Sequence, residues 1–264
     1  MRKRQMRKRL LILSAILILF TIMLISSSGT NGDLKNPLTV GLDDSPLGYL
    51  DERGEIVGFE VDMAREAIKR AGSTAEFKII HWSEKEKKLD SGEIDMIWSG
   101  MDITPERQEK MIFCKQYMNN FMLILVHEGN PHNSLSDIDF RGHKVGVKAG
   151  TTAENYIMSN TSAKNFIKEL KTYDRDEEVF MALKNGEIDA IVSNELIARY
   201  LMAKHGYNFD VPKILIESHE CGVGFRKDDE KLRDAIQKAY DSMVTDGTAK
   251  KISEKWFQAD LIRR

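Results

Sequence analysis

The chain has 264 residues, with 39 Lys and Arg against 41 Asp and Glu and a formal charge of −2. That length accommodates one large or two modest domains, each with a real core. Setting aside the six basic residues of positions 1–9 takes the basic count from 39 to 33 against 41 acidic residues, a formal charge of −8. No basic cluster remains, which excludes a nucleic-acid footprint.

The first element is Arg2, Lys3, Arg4, Arg7, Lys8 and Arg9, then an uncharged apolar run over 10–25, then small polar residues to Gly32. A basic flank, an apolar stretch and small residues spell an export segment over 1–32. At 16 residues the run is slightly long for a signal core and slightly short for a span of about 20 residues. Cleavage near Ser26-x-Ser28 and retention as a membrane anchor both stand open. No cysteine follows the run, which argues against a lipid-modified N-terminus. The remainder is expected outside the cytoplasm, in a periplasm or at the cell surface.

Beyond it, short β-rich apolar runs alternate with helical patterns, predicting an α/β protein with parallel sheets covered by helices. Strands are predicted at 38–42, 76–80, 96–99 and 111–114, with helices at 61–71 and 84–91 and a hairpin-like segment at 51–58. The run 121–126, closed by the breakers Glu128-Gly129-Asn130-Pro131, reads as a crossing strand. Strands follow at 144–147, 168–172, 190–192 and 213–216, with helices at 153–159, 176–185 and 195–205. A second crossing at 222–226 precedes helices over 230–245 and 249–257.

Two stretches are copies of one another. Residues 89–99 read LDSGEIDMIWS and 183–193 read LKNGEIDAIVS, sharing L-x-x-G-E-I-D-x-I-x-S. Val40-Gly41-Leu42 and Val145-Gly146-Val147 open the two halves in the same way. A repeat this widely spaced indicates two related lobes and not a solenoid. The expected division is 33–122 plus 222–264 for lobe one and 123–221 for lobe two. Hinge strands are expected near 122–126 and 221–226.

In parallel sheets, ligands collect beyond the carboxyl ends of strands, where helix N-termini offer N–H groups. That rule selects Asp43 to Tyr49, His81-Trp82-Ser83, Ser99 to Arg107, Gly150-Thr151-Thr152, and Ser193-Asn194-Glu195. Thr104 is placed as an N-cap with Pro105 at the first helical position. Arg107 in the first turn opposes the helix dipole. Either it serves a bound carboxylate through its guanidinium fork, or it is a surface partner of Glu106 or Glu109. Asp43 either receives a cationic side chain or forms an Asx turn. Trp82 and Tyr49 are either apolar platforms for the ligand or core residues.

These motifs have a familiar arrangement. Gly58-Phe59-Glu60-Val61-Asp62, the Gly-Glu-Ile-Asp of lobe one, Ile103-Thr104-Pro105-Glu106-Arg107, Val145-Gly146-Val147 through Gly150-Thr151-Thr152, and Lys255-Trp256-Phe257 together resemble the extracellular solute-binding proteins of family 3, over roughly 38–258. The resemblance implies a two-lobed, type II periplasmic-binding-protein-like fold. It also implies a non-catalytic, monomeric receptor, without cofactor, that closes on a free amino acid, polar or cationic, and delivers it to an ABC permease. Arg107 would take the α-carboxylate, assisted by Thr152 and N–H groups at Gly150 to Thr152, with Thr151 beside them. Ser99 and Gly100 would serve the α-ammonium, flanked by Met101. The residue after Ser193 is commonly an aspartate that holds the ammonium. Here it is Asn194, and Asp102 is expected to supply the charge from the facing lobe. The alternatives are a dehydratase on the same fold and a ligand-sensing ectodomain.

Cys114 and Cys221 both fall in the exported part, where a disulfide is permitted and two buried thiols are the other reading. Family topology would place their strands side by side. His81, His127, His132, His143, His205 and His219 lack paired ligand spacing, so no metal site is expected.

Overall fold

The computed structural model describes residues 34–129, 140–159, 167–212 and 215–264. The export segment expected over 1–32 lies outside them. Among the described residues no helix is long and apolar enough to cross a membrane. Residues 36–264 form one compact unit, built on two five-stranded sheets.

The first sheet contains β1 (Leu38–Asp43), β4 (Ala75–Ile80), β5 (Met96–Ile97), β6 (Met111–Phe113) and β12 (Gly224–Arg226) in the order β4-β1-β5-β12-β6. β1 pairs in parallel with β4 and β5, while β12 runs antiparallel to β5 and β6. The second contains β7 (Met118–Val126), β8 (Lys144–Lys148), β9 (Glu169–Tyr173), β10 (Ala190–Asn194) and β11 (Leu215–Cys221) in the order β11-β7-β10-β8-β9. Here β8 is parallel to β9 and β10, and β7 is antiparallel to both β10 and β11. The inner strands β1, β8 and β10 are buried apolar runs, as strands covered on both faces require, while the parallel edge strands β4 and β9 are partly exposed.

The repeat has a structural meaning. In lobe one the Asp95 carboxylate accepts from Thr39 N–H at 2.8 Å, and Asp95 N–H donates to Thr39 C=O at 2.8 Å. In lobe two Asp189 makes the same pair with Lys144, at 2.7 and 2.8 Å. A Cβ on Gly41 would sit 2.5 Å from Ile94 Cδ1, and one on Gly146 2.4 Å from Ile188 Cδ1. Each Gly-Glu-Ile-Asp turn therefore locks onto the opening strand of its own lobe through one glycine, one isoleucine and one aspartate.

Helices flank both sheets. Lobe one carries α1 (Phe59–Arg70), α2 (Lys85–Asp90), preceded by a 3-10 turn at Trp82–Glu84, and α3 (Pro105–Gln108). Lobe two carries α4 (Thr152–Ser159), α5 (Asp176–Lys184) and α6 (Glu195–His205), and the chain returns to lobe one for α7 (Glu230–Thr245) and α8 (Thr248–Phe257). The predicted 51–58 hairpin is present as β2 (Tyr49–Leu50) paired with β3 (Ile56–Val57). It feeds α1 through Gly58, whose φ of 149° and a Cβ position 2.3 Å from Leu47 C=O leave room only for glycine.

The first passage between sheets differs from the expected one. The run 122–126 belongs wholly to the second sheet, paired with β10 throughout, and β7 already pairs with β11 from Met118. The chain changes sheet at 114–117 and returns at 222–223. An apolar run reads alike as a crossing strand and as the interior strand that β7 is. The two passages are joined by Cys114 N–H to Val223 C=O, 3.0 Å, and Tyr117 N–H to Cys221 C=O, 2.9 Å. Of the two readings of the cysteines, two buried thiols is the one the structure has: Cys114 and Cys221 are free and buried. Cys114 Sγ lies 3.7 Å from Arg233 C=O on α7, whereas Cys221 Sγ lies 3.8 Å from Asp102 Oδ1. Adjacent passages thus carry thiols that face different neighbours.

Candidate ligand-binding cleft

Carboxyl ends of parallel strands from both sheets converge on a cleft whose space, counted out to open solvent, is about 550 Å³. Of the residues singled out in the sequence, Asp43, Trp82, Ser99, Gly100, Asp102, Arg107, Thr151, Thr152 and Asn194 line it. Three do not. Tyr49 sits in the β2–β3 hairpin, and Met101 is fully buried among Ile80, Trp82 and Ile97. Gly150 contributes its carbonyl behind the lining.

Arg107 is positioned by the N-terminus of α3, where Thr104 Oγ1 accepts from Arg107 N–H at 3.3 Å and Pro105 occupies the first turn. Arg107 is 5 % exposed and makes no ion pair among the described residues. Nη1 donates to Asp102 C=O at 2.8 Å and Nη2 to Gly150 C=O at 3.4 Å. Three of its five N–H donors remain uncommitted. Burial pushes its pKa down, so a carboxylate against it would gain a charge-assisted fork in a low-dielectric setting.

Asp102 is 3 % exposed and accepts from Thr152 Oγ1 across the cleft and from Asn120 Nδ2 at 2.6 Å. Asn120 Oδ1 is buried without a partner. A carboxylate and an unpaired amide oxygen side by side form an acceptor set suited to an ammonium. Asn194 cannot do this, because its Oδ1 caps α6 by accepting from Leu196 N–H at 2.8 Å and Ile197 N–H at 3.4 Å. Ser99 Oγ accepts from Asp43 N–H at 2.9 Å. The Gly150 N–H expected to face a ligand is taken by Glu154 Oε2 at 2.7 Å.

A second charged group was not read from the sequence. Lys148, at the end of β8, holds Asp43 at 2.5 Å and Asp176, at the start of α5, at 3.0 Å. Burial and the presence of two carboxylates beside one ammonium push the Asp43 carboxyl up to about 7 against the pull of Lys148. Asp176 shifts in the same direction, chiefly through burial. Asp43, expected either to receive a cationic side chain or to form an Asx turn, is one arm of this cluster. Lys148 obeyed the same strand-end rule that selected Thr151 and Thr152, and the alternation of β7 puts Asn120 on one face with Met118 and Met122, so both left a signal.

Lys85 was missed as well. Its Nζ donates to Gly150 C=O at 2.9 Å and to Trp82 C=O at 3.2 Å, and lies 4.7 Å from the Trp82 ring centre. Burial, together with nearby Arg107, lowers its pKa to about 8. The Trp82 ring is thus already paired with a cation of the protein. Gly150 has φ 72°, and a Cβ there would stand 2.9 Å from Ser83 Cα, so glycine lets the lobes meet. Behind the lining, Glu60 Oε1 accepts from Gly100 N–H at 2.6 Å and from Tyr117 O–H. This links the cleft floor to the first passage between sheets.

Two lobes joined by two adjacent passages, with cations and carboxylates from both facing a shared cleft, define a hinged solute receptor. The chain belongs to the bacterial extracellular solute-binding proteins, family 3, whose family model matches residues 38–259. It is 33 % identical over 231 residues to the L-cystine-binding protein TcyJ of Escherichia coli (strain K12), covering 87 % of this chain and 85 % of that one. Among solved structures it is similar to an ABC uptake transporter substrate binding protein from Streptococcus pneumoniae with bound histidine: TM-score 0.81, 30 % identity, 86 % of this chain and 95 % of the other. It is also similar to the ancestral amino acid-binding protein AncCDT-1, a precursor of cyclohexadienyl dehydratase, with TM-score 0.73 and 30 % identity over 84 % of this chain and 96 % of the other.

Proposed function

We propose that the chain is an extracytoplasmic receptor that closes on a free α-amino acid and hands it to an ABC permease. Arg107 binds the α-carboxylate with the backbone N–H groups of Thr151 and Thr152, while Asp102 and Asn120 Oδ1 bind the α-ammonium. Among the described residues, lobe one comprises 36–113 together with 224–264, lobe two lies within 118–221, and the lobes turn about 114–117 and 222–223. The reading is supported most by the buried guanidinium of Arg107, flanked by an aspartate and a threonine from opposite lobes. A binding role is the reading that Asp102 supports, since its carboxylate is held as an acceptor by Asn120 and Thr152. Relatives named for binding cystine and histidine point the same way.

The test is a thermal-shift panel of the common amino acids. Ligand binding to the native state alone raises Tm by mass action, by about 2.7 kcal/mol of stability at 100 times Kd. One class of amino acid raises Tm in the wild type, and Arg107→Ala loses that rise. An unchanged rise in Arg107→Ala refutes the carboxylate assignment.

A further inference from the structure

One buried acid behind the cleft floor takes no part in the head-group contacts. Glu60, near the start of α1, is 0 % exposed and makes no ion pair among the described residues. Its Oε1 accepts from Gly100 N–H at 2.6 Å and from Tyr117 O–H, and the same N–H reaches Tyr117 Oη at 3.1 Å. The three groups close a triangle. Glu60 Oε2 is buried without a partner.

That triangle joins the cleft to the hinge. Gly100 lines the cleft two residues before Asp102, in a left-handed conformation at φ 57°. Tyr117, 1 % exposed, lies in the first passage, where its N–H donates to Cys221 C=O and its C=O accepts from Arg263 N–H, both at 2.9 Å. The loop is also tied toward the second passage by backbone bonds, Gly222 N–H to Met101 C=O at 2.9 Å and Ile103 N–H to Glu220 C=O at 2.8 Å. Those bonds carry no charge. The Glu60 tie depends on one, because a carboxylate accepts more strongly than a neutral acid.

Burial pushes the Glu60 carboxyl up to about 7 against the bonds from Tyr117 and Gly100, and Asp43 on β1 adds to the rise. Cys221 on β11 is the other titratable group that interacts with it. Near neutral pH, a change in the surrounding charge therefore decides its state, and an ammonium arriving at Asp102 is such a change.

Resting on the amino-acid reading above, we infer that Glu60 and Tyr117 are positioning residues, which set the Gly100–Asp102 loop for the ligand's ammonium and tie that setting to the first passage. Bound ammonium favours the carboxylate form of Glu60. The carboxylate tightens on Gly100 N–H and Tyr117 O–H, fixing the loop to the passage about which the lobes turn. Binding releases the Glu60 proton to solvent, so affinity rises as pH rises through about 7.

Isothermal titration of the full chain from about pH 5.5 to about pH 8 tests this. The probes are L-arginine, L-glutamine and L-cystine, with whichever common amino acid raises Tm most in the thermal-shift panel. Wild-type affinity is expected to rise with pH, and Glu60→Gln to cut that rise by about threefold or more. Asp43, which titrates in the same range, accounts for the remainder. Tyr117→Phe keeps the ring beside Trp98, with 6.0 Å between centroids, and removes a bond that holds the Glu60 carboxyl down. It is expected to weaken binding about threefold or more near neutral pH and to move the midpoint of the profile to higher pH. A merely structural role would weaken binding equally at every pH. Should wild-type affinity not change with pH, or should both variants keep the wild-type profile or lower it evenly, the inference fails while the amino-acid reading stands. Should no probe bind the folded wild type, verified by circular dichroism, the functional reading itself fails and this inference with it.

Discussion

Glu60 carries an acid group where water does not reach. Its carboxyl, 0 % exposed, is pushed up to about 7 by burial, against the hydrogen bonds from Tyr117 and Gly100. Its second oxygen has no partner. Because the folded pKa exceeds the ordinary value of 4.5, the folded state holds this proton more tightly than the unfolded one. The contribution to stability is full below about 4.5 and is lost as pH rises through about 7. Asp43 acts in the same direction. Thermal denaturation is therefore expected to show Tm falling between about pH 5 and 8 from these groups, and Glu60→Gln to flatten that fall. An unaltered slope in the variant assigns the dependence elsewhere. Asp102→Asn is the companion change at the ligand: it keeps the size and removes the charge, and should weaken amino-acid binding by about tenfold or more, since hydrogen bonds to charged groups contribute roughly 1.5–3 kcal/mol. Equal Kd values in titration calorimetry refute the ammonium assignment. Arg107 was legible in the sequence because a cation in a helix's first turn contradicts the dipole. For Lys148 the sequence carries only its place at a strand end, which by itself reads as a solvated lysine, and nothing links position 148 to Asp176 until β8 and β9 are paired.

At the scale of elements, the sequence foretold the alternation of strands and helices and the pairing of lobes through the repeated turn. It misassigned β7, since hydrophobic content reports burial and not which sheet does the burying. The hairpin junction offers a sharp test. Gly58→Ala puts a Cβ against the Leu47 carbonyl at a φ of 149°, which should cost at least the 1–3 kcal/mol or so typical of a strained backbone position. Gly54→Ala, in the same hairpin at φ 77° with nothing within 4 Å, should cost on the order of 1 kcal/mol. Urea denaturation compares them directly, and equal losses contradict the steric account.

For the whole molecule, the lobes touch through polar groups that belong to the protein. Lys85 and Arg107 donate to Gly150 C=O, Thr152 to Asp102, Lys148 to Asp43, and Arg175 lies 3.4 Å from Asp44. The buried Lys85 contact stabilises closure independently of ligand, so Lys85→Met should raise the radius of gyration measured by small-angle scattering without ligand. An unchanged radius removes Lys85 from the closing device.

Two cations of lobe one share a single carbonyl of lobe two at Gly150. Entry that parts the lobes has to break both contacts. Capture is then timed by the protein's own opening, so chemically unlike ligands should approach one common ceiling of association rate. Their discrimination should appear in how long each one stays.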